Sequence, residues 1–226
     1  MSTNKESLYE PKTLNDIVFG SHESKCRIYD IVTGAEALPS SGKSGILLYG
    51  TYGTGKTTLA KMLPDAIEKG KTGAVLNWPA EFIPCQQGFN GVQVSGLIAA
   101  VLDKTSLNIS GYQYIIIDEV DMLTRLAQES LKSSLNTDRG IFILTTNNLS
   151  KLDRGMLDRC VLVEMNAGTV EQLEPLARQM ASTMGVDISE IDLLPTISAA
   201  NGSFRNLKHN IERALRRTNM PNNIIF

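Results

Sequence analysis

GTYGTGKTT, residues 50–58, is the stretch on which the rest of the chain turns. Gly50, Gly55, Lys56 and Thr57 fill the spacing G-x-x-x-x-G-K-[ST], and the run before them, GILLY (45–49), is apolar and strand-like. A glycine-rich turn that opens a helix aims backbone N–H groups and the positive helix end at one point, which is what a phosphate chain needs. Gly50, Gly53 and Gly55 let the backbone approach closely, and Thr51, Thr54 and Thr58 complete the cradle. Lys56 is expected on the β/γ-phosphates as a point charge, and the Thr57 hydroxyl on Mg2+. An ordinary glycine-rich αβ turn is the plainer alternative, but strand, loop and helix signals coincide here. The predicted ligand is a nucleoside triphosphate.

Composition limits what surrounds this loop. The chain has 226 residues, enough for one large domain or a medium domain with a small appendage. Lys+Arg 22 against Asp+Glu 24 leaves a net charge of -2, so no chain-wide positive field attracts nucleic acid, and any DNA contact must be local. Cys26, Cys85 and Cys160 are far apart with no C-x-x-C pair, which argues against a zinc site and a disulfide framework and fits a reducing cytoplasm. MSTNKESLYEPK (1–12) lacks an apolar targeting core, and no run approaches the roughly 20 apolar residues of a membrane span, so a soluble, untargeted protein is expected.

Along the chain, SHESKCRIYDIVTGAEAL (21–38) reads as a helix, followed by the turn-rich PSSGKSG (39–45). GILLY is the first strand. Thr57 to about Lys69 reads as a helix in which Pro64 is an expected kink. GAVLNW (73–78) is read as the next strand, VSGLIAAVLDK (94–104) as a helix, YQYIII (112–117) as a buried strand and LTRLAQESLKSSLN (123–136) as an amphipathic helix. IFILTT (141–146) and CVLVEM (160–165) are further apolar strands. Strands alternating with helices predict an α/β fold with a parallel sheet covered on both faces. Past Glu164 the strand signals stop, and 169–185, 188–201 and 203–219 read as helical. The expected organisation is an αβ nucleotide-binding domain over 1–165, with a lead-in at 1–43, and a small all-helical lid over 166–226 with a short tail.

Hydrolysis needs a metal anchor, an oriented water and positive charge near the γ-phosphate. YIIIDEVDML (114–123) delivers Asp118 and Glu119 at the end of an apolar strand, the edge where open αβ sheets bind ligands. Asp118 is expected to hold Mg2+ directly or through water, and Glu119 to polarise the attacking water. Asp121 is expected to cap the following helix. Asn147, just after IFILTT, could bond the γ-phosphate or the lytic water, or serve simply as a turn former. LDRGMLDRC (152–160) offers Arg154 and Arg159, either of which could act as an arginine finger from a neighbouring subunit or be a surface charge.

The order of these motifs resembles the AAA+ ATPases, and within them the clamp-loader small subunits of the replication factor C type, over about 8–217. YEPKTLNDIVFG (9–20) is similar to the family's opening box, which implies an adenine pocket lined by Tyr9, Ile17 and Val18. DEVDMLTRLAQESL (118–131) resembles its Asp-Glu box and following helix, with Gln128 at the glutamine position. Asn147 falls on sensor 1. LDRC (157–160) resembles the Ser-Arg-Cys motif, with Asp158 in place of Ser, which puts the trans finger on Arg159. NGSFRNLKHNIERAL (201–215) resembles the lid helix whose sensor 2 arginine is here Arg205. The resemblance implies ATP and Mg2+ as ligands, a homo- or hetero-oligomer with nucleotide at subunit interfaces, and replication partners such as a sliding clamp or a helicase.

The chain departs from that pattern in places. The family's helical collar after the lid has no counterpart before Phe226. The helix within VQVSGLIAAVLDK (92–104) offers only Lys104 to DNA, so DNA binding there is weakly supported. The cluster Arg205, Lys208, Arg213, Arg216 and Arg217 reads first as a solvated helical face. PNNIIF (221–226) could dock on a partner or pack on its own lid. Two functions stay open: an ATP-hydrolysing replication or repair factor, and an ATP-gated helicase loader or adaptor with slow turnover. A P-loop kinase is disfavoured, because kinases need neither a finger nor a sensor-bearing lid.

Overall fold

The computed structural model describes residues 11–87, 89–183 and 192–218. They fall into two compact units, one formed by Ser21–Gly50 with Lys56–Met165, the other by residues up to Gly20, Thr51–Gly55 and the chain from Asn166 onward.

The larger unit is a parallel sheet clad in helices. Its strands are β1 (Gly45–Tyr49), β2 (Glu81–Pro84), β3 (Gln113–Asp118), β4 (Gly140–Thr146) and β5 (Cys160–Glu164), in the spatial order β2-β3-β4-β1-β5 with every pairing parallel. Parallel strands are buried on both faces and need apolar side chains at nearly every position. β4 meets this throughout: all of GIFILTT is buried. Its helices are α1 (His22–Thr33), α2 (Lys56–Thr72), α3 (Gly91–Leu102), α4 (Arg125–Ser134) and α5 (Arg154–Asp158). One sheet face sends Leu47, Ile115, Ile117, Phe142 and Leu144 into a core with Val94 and Ile98 of α3 and Ala127 and Leu131 of α4. On the other side α2 packs on β1, β3 and β4, and α1 packs on α2 and β5.

Local chemistry sets the helix ends. Ser21 caps α1 by accepting from Ser24 N–H at 3.1 Å, and Gly34, with φ 81, ends it in the left-handed conformation open to glycine. The helix therefore stops five residues short of the predicted Leu38. α2 runs unbroken through Pro64 to Thr72.

The predicted strand GAVLNW is not one. Gly73 (φ 75) closes α2, and the next backbone N–H groups go to side chains: Leu76 to Asp65 at 3.1 Å, Asn77 and Trp78 to Asn108 at 3.1 and 2.8 Å. With their donors spent, these residues cannot join a ladder, and Val75 and Trp78 stay 62% and 43% exposed. The strand is EFIP instead, an edge strand, which is where Pro84 is tolerated.

The second unit is built on α6 (Val170–Thr183), α7 (Leu193–Ser198) and α8 (Phe204–Thr218). Leu173, Ala177, Met180, Leu193, Ile197, Leu207 and Ile211 form its core, against which Val18 and Phe204 pack. The tail PNNIIF lies outside the described residues.

Candidate functional site

β1 ends at Tyr49, beside Thr146 of β4, and β3 ends at Asp118, beside Pro84 of β2. The carboxyl ends of the strands thus line up, and α2 starts from the same edge at Lys56. The Lys56 ammonium folds back to donate to the Gly50 carbonyl at 2.9 Å. Burial pushes it below the usual lysine range, while Asp118, Asp121 and Glu119 draw it back upward.

At the second position of α2, the Thr57 hydroxyl donates to the Asp118 carboxylate, 2.8 Å from Oδ1 and 3.1 Å from Oδ2. A hydroxyl and a carboxylate side by side are hard oxygen donors. Mg2+ is commonly held by one or two such groups, with water and phosphate completing its shell. Among the described residues no three His, Cys, Asp or Glu side chains come together as a metal cage.

Glu119 follows in the left-handed conformation, φ 59 and ψ 50, with its side chain exposed. Its N–H donates to Thr145 Oγ1 at 2.9 Å, and that hydroxyl donates to Asp118 Oδ1 at 2.6 Å. Thr145 escaped the sequence reading; its only signal was a pair of threonines ending a strand otherwise wholly apolar.

Asp121 does not cap α4, as was expected of it. Its Oδ1 accepts from Thr146 Oγ1 at 2.8 Å and from Asn147 N–H at 3.2 Å, while Thr124 caps the helix by accepting from Ala127 N–H at 3.2 Å. The short 3-10 turn Val120–Met122 swings Asp121 toward β4 rather than α4. Asn147 is therefore held by its backbone to the segment that carries Asp118 and Glu119.

Gln128 is buried. Its amide donates to the Leu123 and Lys151 carbonyls at 3.3 and 3.2 Å and accepts from Asp153 N–H at 2.9 Å. Arg159 is tied within its own chain, Nε to Asn136 Oδ1 and Nη1 to the Gly155 carbonyl, both at 2.7 Å. Arg154 opens α5 and is exposed.

The loop Thr51–Gly55 counts with the helical unit. Phe204 N–H donates to the Gly53 carbonyl at 2.8 Å, and Thr51 N–H donates to Asn166 Oδ1 at 3.3 Å. Gly53 and Gly55 are left-handed, with φ 76 and 85; a Cβ on Gly53 would strike the Ser203 hydroxyl, and one on Gly55 would lie 3.5 Å from the Phe204 ring. Thr54 donates to the Thr51 carbonyl at 3.0 Å, and Thr58 stands in the first turn of α2. Of the expected adenine pocket, Ile17 is buried, Val18 packs on the helical core, and Tyr9 lies outside the described residues. Arg205 is exposed on the first turn of α8.

A parallel sheet with a glycine-rich loop after β1, and a carboxylate beside the first threonine of the next helix, defines a P-loop nucleotide-binding protein. Within that class the chain belongs to the AAA family, the ATPase family associated with various cellular activities, whose pattern its residues 46–166 match. It is 28% identical over 204 residues to replication factor C subunit 5 of Homo sapiens, covering 87% of this chain and 56% of that protein. It is 24% identical over 225 residues to DNA polymerase III subunit gamma of Buchnera aphidicola, covering 92% and 60%. Its fold is similar to that of the Thermotoga maritima RuvB Holliday junction branch migration motor, with TM-score 0.68, 20% identity, and coverage of 91% of this chain and 65% of that one. The chain is thus an AAA+ protein related to clamp-loader subunits, and it spans less than two thirds of the length of these relatives. Among the described residues no helix is long and apolar enough to cross a membrane.

Proposed function

We propose that the chain binds ATP with Mg2+ and hydrolyses it in the service of DNA replication or repair. The observation that carries this reading is the contact of Thr57 with Asp118 at the mouth of the Lys56 loop. The ion, held by Thr57 and Asp118, would offset charge on the phosphates. Lys56 serves the β/γ-phosphates, Glu119 orients and polarises the attacking water, and Asn147 steadies that water or the γ-phosphate. Tyr9, Ile17 and Val18 are assigned to the adenine. Arg205 is assigned to the γ-phosphate as sensor 2, on the family resemblance alone.

Steady-state hydrolysis and equilibrium binding of a fluorescent ATP analogue test the assignment together. Glu119→Gln is expected to keep binding and lose about a hundredfold or more in kcat, the scale of a general base. Lys56→Ala is expected to lose binding. A Glu119→Gln variant as fast as the parent would remove Glu119 from the mechanism.

The resemblance assigns Arg159 to a neighbouring subunit's site, in a homo- or hetero-oligomer whose client is a sliding clamp, a helicase or DNA. The intrachain bonds of Arg159 favour a second reading, an ATP-gated loader or adaptor with slow turnover, since those bonds must break before the guanidinium reaches a neighbour. Arg154, exposed nearby, is the alternative finger. Comparing hydrolysis by Arg159→Ala and Arg154→Ala, alone and mixed with Glu119→Gln protein, separates the two.

A further inference from the structure

Thr145 joins the two acidic residues of the site, and we propose that it is a positioning residue for both: its hydroxyl aims the Asp118 carboxylate at the metal and holds Glu119 where its side chain meets water. This rests on the roles given above to Asp118 and Glu119.

The geometry gives the hydroxyl no freedom. Thr145 is 1% exposed, on β4, with Leu144 beside Ile117, so that Thr145 stands next to Asp118 across the ladder. A hydroxyl has one proton to give and lone pairs to receive. An ionised carboxylate can only accept and an N–H can only donate, so the proton goes to Asp118 Oδ1 (2.6 Å) and a lone pair takes Glu119 N–H (2.9 Å). Both bonds form together or the hydroxyl cannot satisfy its neighbours.

Each bond has its own consequence. Oδ1 also receives Thr57 Oγ1, so the carboxylate is gripped from β4 and from α2 and its plane is set before any ion arrives. Glu119 sits at φ 59, in the left-handed region that an L side chain disfavours. Its N–H bond to Thr145 ties that turn to β4, while the Glu119 carbonyl accepts from Met122 N–H at 2.9 Å within the turn itself. Removing the hydroxyl while keeping the shape, as valine does, leaves the Glu119 amide without its partner and frees Asp118 to rotate about Thr57.

Thr145→Val, Thr145→Ser and Thr145→Ala are compared with the parent for hydrolysis, for binding of a fluorescent ATP analogue with and without Mg2+, and for thermal unfolding. In Thr145→Val, kcat is expected to fall about 10–100-fold, the usual cost of losing a group that orients a metal ligand. The Mg2+ concentration at half-saturation should rise on the same scale, while analogue binding without Mg2+ stays within about twofold of the parent. Thr145→Ser should recover most of both losses, and Thr145→Ala should resemble valine, which keeps the comparison open if valine fails to fold. The proposal is overturned if valine matches the parent in kcat and Mg2+ dependence, or if serine falls as far as valine. A parent without hydrolysis would count against the proposed function; the Mg2+ dependence of analogue binding would then still decide the role of Thr145.

Discussion

Asp121 shows how far one side chain's role depends on direction rather than position. Next to a helix, an aspartate reads as a cap. Here a single 3-10 turn points it at β4, and it fastens Thr146 and Asn147 instead. Gln128 is a comparable case with a measurable cost. Its three hydrogen bonds satisfy the Leu123 and Lys151 carbonyls and the Asp153 amide, all outside α4. Gln128→Leu keeps the volume and removes every partner; the lost bond to the Leu123 carbonyl is buried and costs roughly 1–3 kcal/mol, while the part-buried groups of Lys151 and Asp153 can turn to water. The expected loss is about 1–3 kcal/mol, seen as a fall in Tm of about 2–12 °C on thermal unfolding.

At the scale of elements, the packing of α1 on α2 depends on one glycine. Gly70 faces the Val32 carbonyl so closely that an added Cβ would run into that backbone oxygen. A helix interior ordinarily favours alanine over glycine by roughly 1 kcal/mol. Here the sign reverses, because the obstacle is backbone and cannot rotate away. Gly70→Ala is expected to destabilise by about 1–3 kcal/mol in denaturant unfolding, the range for forcing an added methyl against atoms already in contact. A stabilised variant would mean that the two helices separate easily. The same level of structure explains the misplaced strand. GAVLNW has the composition of a strand, but Asn108 and Asp65 bind its N–H groups; EFIP has three exposed residues, one of them a proline, yet Ile83 is buried and the ladder to β3 forms. Composition does not register which donors are already taken.

For the whole molecule, the three cysteines report on the larger unit. Burial pushes the thiols of Cys85 and Cys160 up to about 12, while Cys26 is exposed on α1. Thiolate is the reactive form, so the native protein treated with iodoacetamide at about pH 8 should gain one adduct, at Cys26, and the other two only after denaturation. Native labelling of Cys160, located by peptide mass mapping, would show that the β5 edge of the sheet opens. The α/β class, the strands β1, β3, β4 and β5 and the P-loop were legible in the residues alone, because apolar runs of strand length and a glycine-lysine spacing are local signals that burial and phosphate chemistry impose directly. The edge strand β2, the turn of Asp121 toward β4, the two bonds of Thr145 and the tether of Arg159 were decided only by the tertiary structure. Each depends on which polar group lies within hydrogen-bond reach of another, and that follows from sheet register and helix placement, which no local pattern encodes.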